Sequence, residues 1–294
     1  MINASTRRTF IGGLAAVAAG PVFGDPASSE KFSAFDAVKL GRTGIVTTRL
    51  GFGSGVNSWM HDSEMLRKCG FDGAVKLMRA AYDRGIRYFD LADSYGSHAI
   101  AAAAFKGLKR DDYTLSTKYW WREGGIPEKD RADVETSIDR YLKELNTDHL
   151  DIVQLHCVSS AKWPYELAEH LAGLERAKKA GKIRAHGCSF HSYQALAAAL
   201  ENDWLDVAHV RLNPFGRNMS THPERVMKKV RELHAASRGI IAMKVLGVGS
   251  LKDKPDGFNR SLRWNLHSHV VDVLNIGFTS ITEIDDIIKR ISTL

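Results

Sequence analysis

The sequence predicts a single (β/α)8 barrel, and three observations carry that prediction. From Val38 onward, short strand-like runs alternate with amphipathic helical segments, eight times over and with no linker between the units. Residues suited to acid–base chemistry stand at the ends of successive strands: Asp90 with Tyr95 five residues on, Lys118 and His156. That placement suits the carboxyl rim of a parallel barrel, where strand ends and loops form a site. Finally, no Gly-x-Gly-x-x-Gly follows the first strand, which counts against a doubly wound open sheet, the structural runner-up.

Taken in order, Val38-Lys39-Leu40 and Ile45-Val46-Thr47 flank Gly41-Arg42-Thr43-Gly44 and read as a small hairpin ahead of the barrel. Residues 48–53 form the first barrel strand. Phe71, Val75, Met78 and Tyr82 recur at helical spacing over 71–84. Strand two ends at Asp90 and is followed by an alanine-rich helix over 100–108. Strand three ends at Lys118, and helix 131–145 leads to strand four, ending at His156. Helix 164–180, strand 183–189, helix 192–201 and strand 205–212 come next. Helix 223–237, strand 240–244, helix 258–267, strand 271–276 and helix 282–291 complete the chain. The barrel is expected over residues 35–294, with residues 1–34 outside it.

At 294 residues and 44% apolar, the chain can bury one large core or two modest ones. Its net charge of +7 is scattered, which argues against nucleic acid as a partner. Three cysteines, Cys69, Cys157 and Cys188, are too widely spaced for a zinc site or a disulfide framework, and no metal is expected. No apolar run reaches bilayer-spanning length, so no membrane insertion of the mature protein is expected.

The amino-terminal segment has its own character. Thr6-Arg7-Arg8-Thr9-Phe10-Ile11 precedes an uncharged stretch of small and apolar residues, with no acid before Asp25. It resembles a twin-arginine export signal. That resemblance implies the twin-arginine export machinery as a partner and a periplasmic location, or a cytoplasmic one if the signal does not function.

Four segments of the body resemble the aldo-keto reductase family, in order and in register with the strand count. They are Leu40-Gly41-Arg42-Thr43-Gly44 with Arg49-Leu50-Gly51-Phe52-Gly53; Phe89-Asp90-Leu91-Ala92-Asp93-Ser94-Tyr95-Gly96; residues 142–151 leading into His156; and Gly181-Lys182-Ile183-Arg184. Asn146 stands where the family usually has glycine. The resemblance implies a catalytic tetrad of Asp90, Tyr95, Lys118 and His156, and a nicotinamide cofactor, NADPH with NADH as the other candidate. The roles make physical sense. Hydride reaching a carbonyl carbon leaves negative charge on the oxygen, so a proton donor must stand there. Tyrosine, with a pKa near 10, is a reluctant donor that a nearby ammonium is expected to tune downward. Lys118 is expected to supply that ammonium, Asp90 to hold it charged, and His156 to orient the carbonyl.

The cofactor seat departs from the family. The resemblance implies contacts from Ser54, Ser189, His209, Met243, Lys244, Leu246, Gly247, Thr279, Ser280 and Glu283. Ser189 is followed by Phe190 where relatives commonly place asparagine, His209 replaces glutamine, and Met243 replaces a tyrosine. Lys244 is expected to meet the pyrophosphate. Thr279 and Ser280, at the start of the last helix, offer a phosphate-binding end, whereas Glu283 would repel a 2′-phosphate.

Trp59, Trp120, Trp121 and Trp163 stand in the loops after strands one, three and four. Trp59, Trp120 and Trp121 are the candidates to line a pocket for an aldehyde or ketone substrate, while at least two of the four are expected to cap helices or pack loops instead. The leading expectation is therefore an NAD(P)H-dependent carbonyl reductase. The competing class is a nucleotide-binding sensor or accessory barrel with little turnover. A Schiff-base aldolase using Lys118 ranks last, because Asp90 keeps that amine charged.

Overall fold

The computed structural model describes residues 30–294, and Lys31–Leu294 forms one compact unit. The export signal expected around Arg7 and Arg8 lies outside the described residues.

The hairpin consists of β1 (Ala37–Lys39) and β2 (Val46–Thr48), antiparallel, with Val38 opposite Thr47. Eight parallel strands follow: β3 (Leu50–Gly53), β4 (Tyr88–Asp90), β5 (Thr114–Tyr119), β6 (Leu150–Val158), β7 (Ile183–Phe190), β8 (Val207–Arg211), β9 (Gly239–Met243) and β10 (Val273–Gly277). Each pairs with the next, and β10 closes on β3, giving the (β/α)8 barrel. Between them run α1 (Glu64–Asp83), α2 (His98–Ala104), α3 (Val134–Leu145), α4 (Trp163–Glu166) with α5 (Ala168–Lys179), α6 (Tyr193–Ala198), α7 (Pro223–Ala235) and α8 (Gly257–Leu266). The last, α9 (Ile281–Thr293), ends the wrap.

Two helices differ most clearly from the sequence reading. Helix α1 starts seven residues before position 71, at Glu64, capped by the Ser63 hydroxyl, which accepts from the Leu66 N–H. Gly70, at φ 63° and ψ 178°, breaks it into two pieces, so no single apolar stripe runs its whole length. The expected helix 164–180 is likewise divided at Leu167, whose φ of −112° leaves the helical region.

Alternation along each strand sorts the side chains into an outer core against the helices and an inner stack along the bore. At the amino end of the bore, Tyr88, Ile152, Ala185, Val207, Ile241 and Val273 form a buried apolar layer. Val38, Leu40 and Ile45 of the hairpin join it and stopper that end. The plug sits tight: a Cβ on Gly41, at φ 49°, would come within 2.4 Å of the Gly239 nitrogen and the Ser237 carbonyl. With the amino end filled by hydrocarbon, polar side chains further along the strands collect at the carboxyl end.

Candidate active site

Two residues beyond Tyr88 on the same face of β4, Asp90 enters the bore at the strand's carboxyl end. Lys118, the penultimate residue of β5, reaches it with an Nζ–Oδ1 distance of 2.5 Å and also donates to the Leu91 carbonyl at 2.9 Å. Tyr95 lies in a 3-10 turn just after β4, and its hydroxyl is 3.3 Å from Nε2 of His156 on β6. The Lys118 ammonium sits 4.8 Å from the centre of the Tyr95 ring. The structure therefore gathers Asp90, Tyr95, Lys118 and His156 at one mouth, all of them buried. Gly55 makes room for the phenol, since a Cβ there would lie 2.1 Å from the Tyr95 ring.

A partner missing from the sequence reading completes this group. Asn275 of β10 donates from Nδ2 to the other Asp90 oxygen at 2.9 Å and lies 3.2 Å from His209 Nε2. Its signal was a lone amide within the apolar run Val273-Leu274-Asn275-Ile276, on the inward phase set by Val273. A second network holds the turn that carries Tyr95. Arg140 of α3 grips Asp93 with two bonds of 3.0 and 2.8 Å, and the Tyr141 hydroxyl donates to the same carboxylate at 2.7 Å. His98 bridges Thr117 and Glu144, at 2.7 Å each.

The electrostatics correct one expectation. Burial, and then the Asp90 carboxylate, push the Tyr95 phenol well above its ordinary range. The Lys118 ammonium, bonded to Asp90 and the Leu91 carbonyl and 4.8 Å from the ring centre, does not offset that rise. The rise favours the protonated phenol. Burial also lowers the Lys118 amine and raises the Asp90 carboxyl, while their mutual contact opposes both shifts. The acceptor at Leu91 and the donor at Asn275 favour the charged form of each partner. Burial, then Lys118, hold His156 well below its usual range, so its imidazole is neutral.

A cavity of about 590 Å³ opens beside Asp90 and Tyr95 and runs past the ends of β9 and β10 toward α8 and α9. His209, Met243, Lys244, Leu246, Thr279 and Glu283 line it, as the sequence reading places them. The remaining expected contacts are turned to other work. The Ser54 hydroxyl donates to the Asp90 carbonyl at 2.8 Å, and the Ser189 hydroxyl accepts from the Cys157 N–H at 3.1 Å. Neither side chain lines the cavity, nor does Gly247, which turns the chain at φ 58°. Phe190 faces away from the mouth and packs on Trp163 in the outer core, with ring centroids 6.0 Å apart.

At α9 the helix start is already capped from within. The Ser280 hydroxyl accepts from the Glu283 N–H at 3.2 Å, and the Glu283 carboxylate accepts from the Thr279 N–H at 2.7 Å and from its hydroxyl. The Thr279 donors expected to meet a phosphate are thus bonded to the protein's own carboxylate, and the Ser280 hydroxyl serves as the helix cap.

The tryptophans divide as well. Trp120 stands edge-on to His156, with centroids 5.2 Å apart, and the half-exposed Trp59 stands edge-on to Trp120 at 5.6 Å. Those two pack beside His156, but neither lines the cavity described above. Trp121 instead donates its indole N–H to the His156 carbonyl at 2.7 Å and braces the loop. Trp163 is wholly buried and bonded to the Ala195 carbonyl, so it belongs to the outer core.

Comparison with known proteins agrees with this geometry. The aldo/keto reductase family model matches residues 49–290. The chain is 32% identical over 164 residues to the Bacillus subtilis aldo-keto reductase YhdN, covering 52% of this chain and 46% of that protein. It is 28% identical over 206 residues to the Escherichia coli NADH-specific methylglyoxal reductase, covering 62% and 60% respectively. The chain thus spans about half to three-fifths of the length of these relatives. Among solved structures, an aldo/keto reductase from Klebsiella pneumoniae in complex with NADP and acetate superposes with a TM-score of 0.65 at 20% identity, covering 87% of this chain and 89% of that one. With the family's matched segment spanning β3 to α9 and the strand-end constellation in place, this chain belongs to the aldo/keto reductase family.

Proposed function

We propose that this protein reduces an aldehyde or ketone with a nicotinamide nucleotide, Tyr95 donating the proton and His156 directing the carbonyl. The observation that carries the reading is the 3.3 Å approach of the Tyr95 hydroxyl to His156 Nε2 beside the cavity. A carbonyl oxygen entering there meets two neutral hydrogen-bonding groups at the position where negative charge develops. Among the described residues the neutral imidazole has no partner at Nδ1, so it is free to carry its proton on Nε2 and donate. As the phenol gives up its proton, the Lys118 ammonium against its ring stabilises the phenolate, and Asp90 with Asn275 keeps that ammonium in place. Lys118 and Asp90 act as positioning and electrostatic residues, while Tyr95 and His156 touch the substrate.

The cavity suits the nucleotide. Its volume falls in the range of small-molecule sites. Met243 offers a polarisable face, and the Lys244 amine lines the wall with no carboxylate bonded to it among the described residues. Bound there, the reduced nicotinamide supplies the hydride. The family resemblance favours NADPH, but Glu283 holds the Thr279 N–H that a 2′-phosphate would need, which supports NADH as the less opposed nucleotide. One relative carries an NADH-specific name, consistent with that preference existing in the family. The sensor alternative is opposed by the gathered tetrad.

The test is Tyr95→Phe. NAD(P)H oxidation with a panel of small aldehydes should fall at least a thousand-fold while nucleotide affinity, read by fluorescence quenching, stays within about two-fold. A variant as active as the parent removes Tyr95 from the mechanism. For localisation, the Arg7-Arg8 segment supports export of the folded protein to the periplasm. Changing both arginines to lysine should retain the protein in the cytoplasm, and unchanged export refutes that part of the proposal.

A further inference from the structure

Next to the tetrad, on the side where β6, β7 and β8 end, the barrel mouth holds a group of cations that, among the described residues, make no ion pair. Arg122, just beyond β5, donates to the Cys157 carbonyl and, at 2.7 Å, to the Ser159 hydroxyl. Arg211, the last residue of β8, donates to His191 Nδ1 at 2.6 Å and to the Asn218 carbonyl at 3.1 Å, while its buried Nε has no partner among the described residues. His191 follows β7 directly, and its ring centroid is 6.4 Å from that of His156. Lys244, at the end of β9, brings the edge of the group onto the cavity wall.

Among the described residues, neither arginine nor Lys244 has a carboxylate at ion-pair distance. Arg110, Arg140 and Lys118, by contrast, are held by Asp151, Asp93 and Asp90. Crowding half-buried like charges is costly unless an anion joins them. The strain shows in the neighbours: burial, then Arg211 and Lys244, drive His191 down to about 2, and burial, then Arg211, lowers Lys244. The Cys157 thiol, 3.5 Å from His191 Nε2, is not the missing charge, because burial pushes its pKa up and keeps it neutral. Since His191 Nδ1 accepts from Arg211, its proton sits on Nε2, adding another donor to the group.

We propose that Arg122, His191 and Arg211 form an anion subsite beside His156, which selects carbonyl substrates carrying a carboxylate close to the reacting carbon, such as 2-oxo acids and short aldehydo acids. The carbonyl half of that statement rests on the reductase reading; the subsite itself does not. A phosphate of the nucleotide is the other anion that could come this way, so the experiment separates the two.

The full chain is titrated calorimetrically with benzoate and with benzamide, its uncharged counterpart, and then with NADH. Benzoate should bind at least ten-fold tighter than benzamide, and Arg211→Gln should abolish that preference while leaving the NADH dissociation constant within about three-fold. Arg122→Gln, nearer solvent, carries the same comparison should the first variant fail to fold. Equal binding of benzoate and benzamide, or a preference that survives both substitutions, overturns the subsite. A loss of NADH affinity as large as the loss of benzoate affinity overturns it too, by assigning the cations to the nucleotide. In turnover, the ratio of kcat/KM for glyoxylate to that for methylglyoxal should fall at least ten-fold in Arg211→Gln. Benzoate preference without turnover of either aldehyde would sink the reductase reading and leave the subsite standing. Turnover without benzoate preference would do the reverse.

Discussion

Replacing Asp93 with asparagine probes how the protein holds its proton donor, because Asp93 lies two residues before Tyr95 in the same turn. Burial works to raise this carboxyl, but the His61, Arg140 and Tyr141 contacts overcome it and hold the group at about 2, against 3.8 ordinarily. That displacement corresponds to about 2 kcal/mol of stability. The folded pKa is depressed, so the contribution is fully present above pH 4 and is lost as pH falls toward 2. Asparagine removes the charge and leaves Arg140 with Glu144 and the Asp130 carbonyl. The expected loss at pH 7 is therefore about 2–3 kcal/mol, short of the larger cost of a fully buried orphan charge. Urea unfolding at pH 7, 4 and 3 measures it, and the gap between parent and variant should narrow below pH 4. At pH 7 the variant should also lose kcat by about ten-fold with nucleotide affinity retained, since the Tyr95 turn loosens while the cavity walls stay. A stability gap below 0.5 kcal/mol at pH 7, or one of the same size at pH 3, would refute the reasoning.

Other positions give sharper single readouts. Asp272, whose carboxylate accepts from the Ile240 N–H at 2.7 Å, is raised by burial to about 7. The native state keeps a proton there that the unfolded chain has released, so stability falls as pH rises from about 4 to 7. Asp272→Asn should accordingly gain up to the order of 4 kcal/mol over the parent at pH 8 and much less at pH 5, as thermal unfolding at both pH values would show. Gly55→Ala drives a Cβ to within 2.1 Å of the Tyr95 ring, so kcat/KM should drop at least ten-fold with the far-ultraviolet dichroism unchanged. An alanine variant of full activity means the phenol can work from elsewhere. Glu283→Gln keeps an acceptor for the Thr279 N–H but removes the charge, and the NADPH-to-NADH affinity ratio should rise at least five-fold in fluorescence titration. An unmoved ratio takes Glu283 out of nucleotide selection.

The barrel was legible because its signals are local and repeated. Strand after strand combines a short apolar run with a polar terminus, and the inward phase of each follows from one residue. The tetrad was legible through its spacing, Asp90 to Tyr95 above all. What stayed hidden depends on depth or on distant partners. Nothing along the chain says that Asn275 meets Asp90, 185 positions earlier. The rise of the Tyr95 pKa was missed because burial outweighs a neighbouring cation that is itself neutralised, and burial is not readable from sequence. Ser280-x-x-Glu283 is a capping-box spacing, yet the segment read as an open anion site because the helix's use of its own glutamate is settled only by the side-chain geometry. Trp121 and Trp163 show that an aromatic near a strand end is as ready to brace a loop or fill the outer core as to meet a substrate.

The hydrocarbon stopper made by Val38, Leu40 and Ile45 has a consequence for solvent traffic. Among the described residues that hydrocarbon closes the amino end of the bore, while Asp90 lines the cavity at the other mouth, so a molecule seated there takes water away from the Asp90–Lys118 pair. Occupancy and dielectric are thereby tied together: the Asp90–Lys118 attraction strengthens when a ligand arrives and weakens when it leaves.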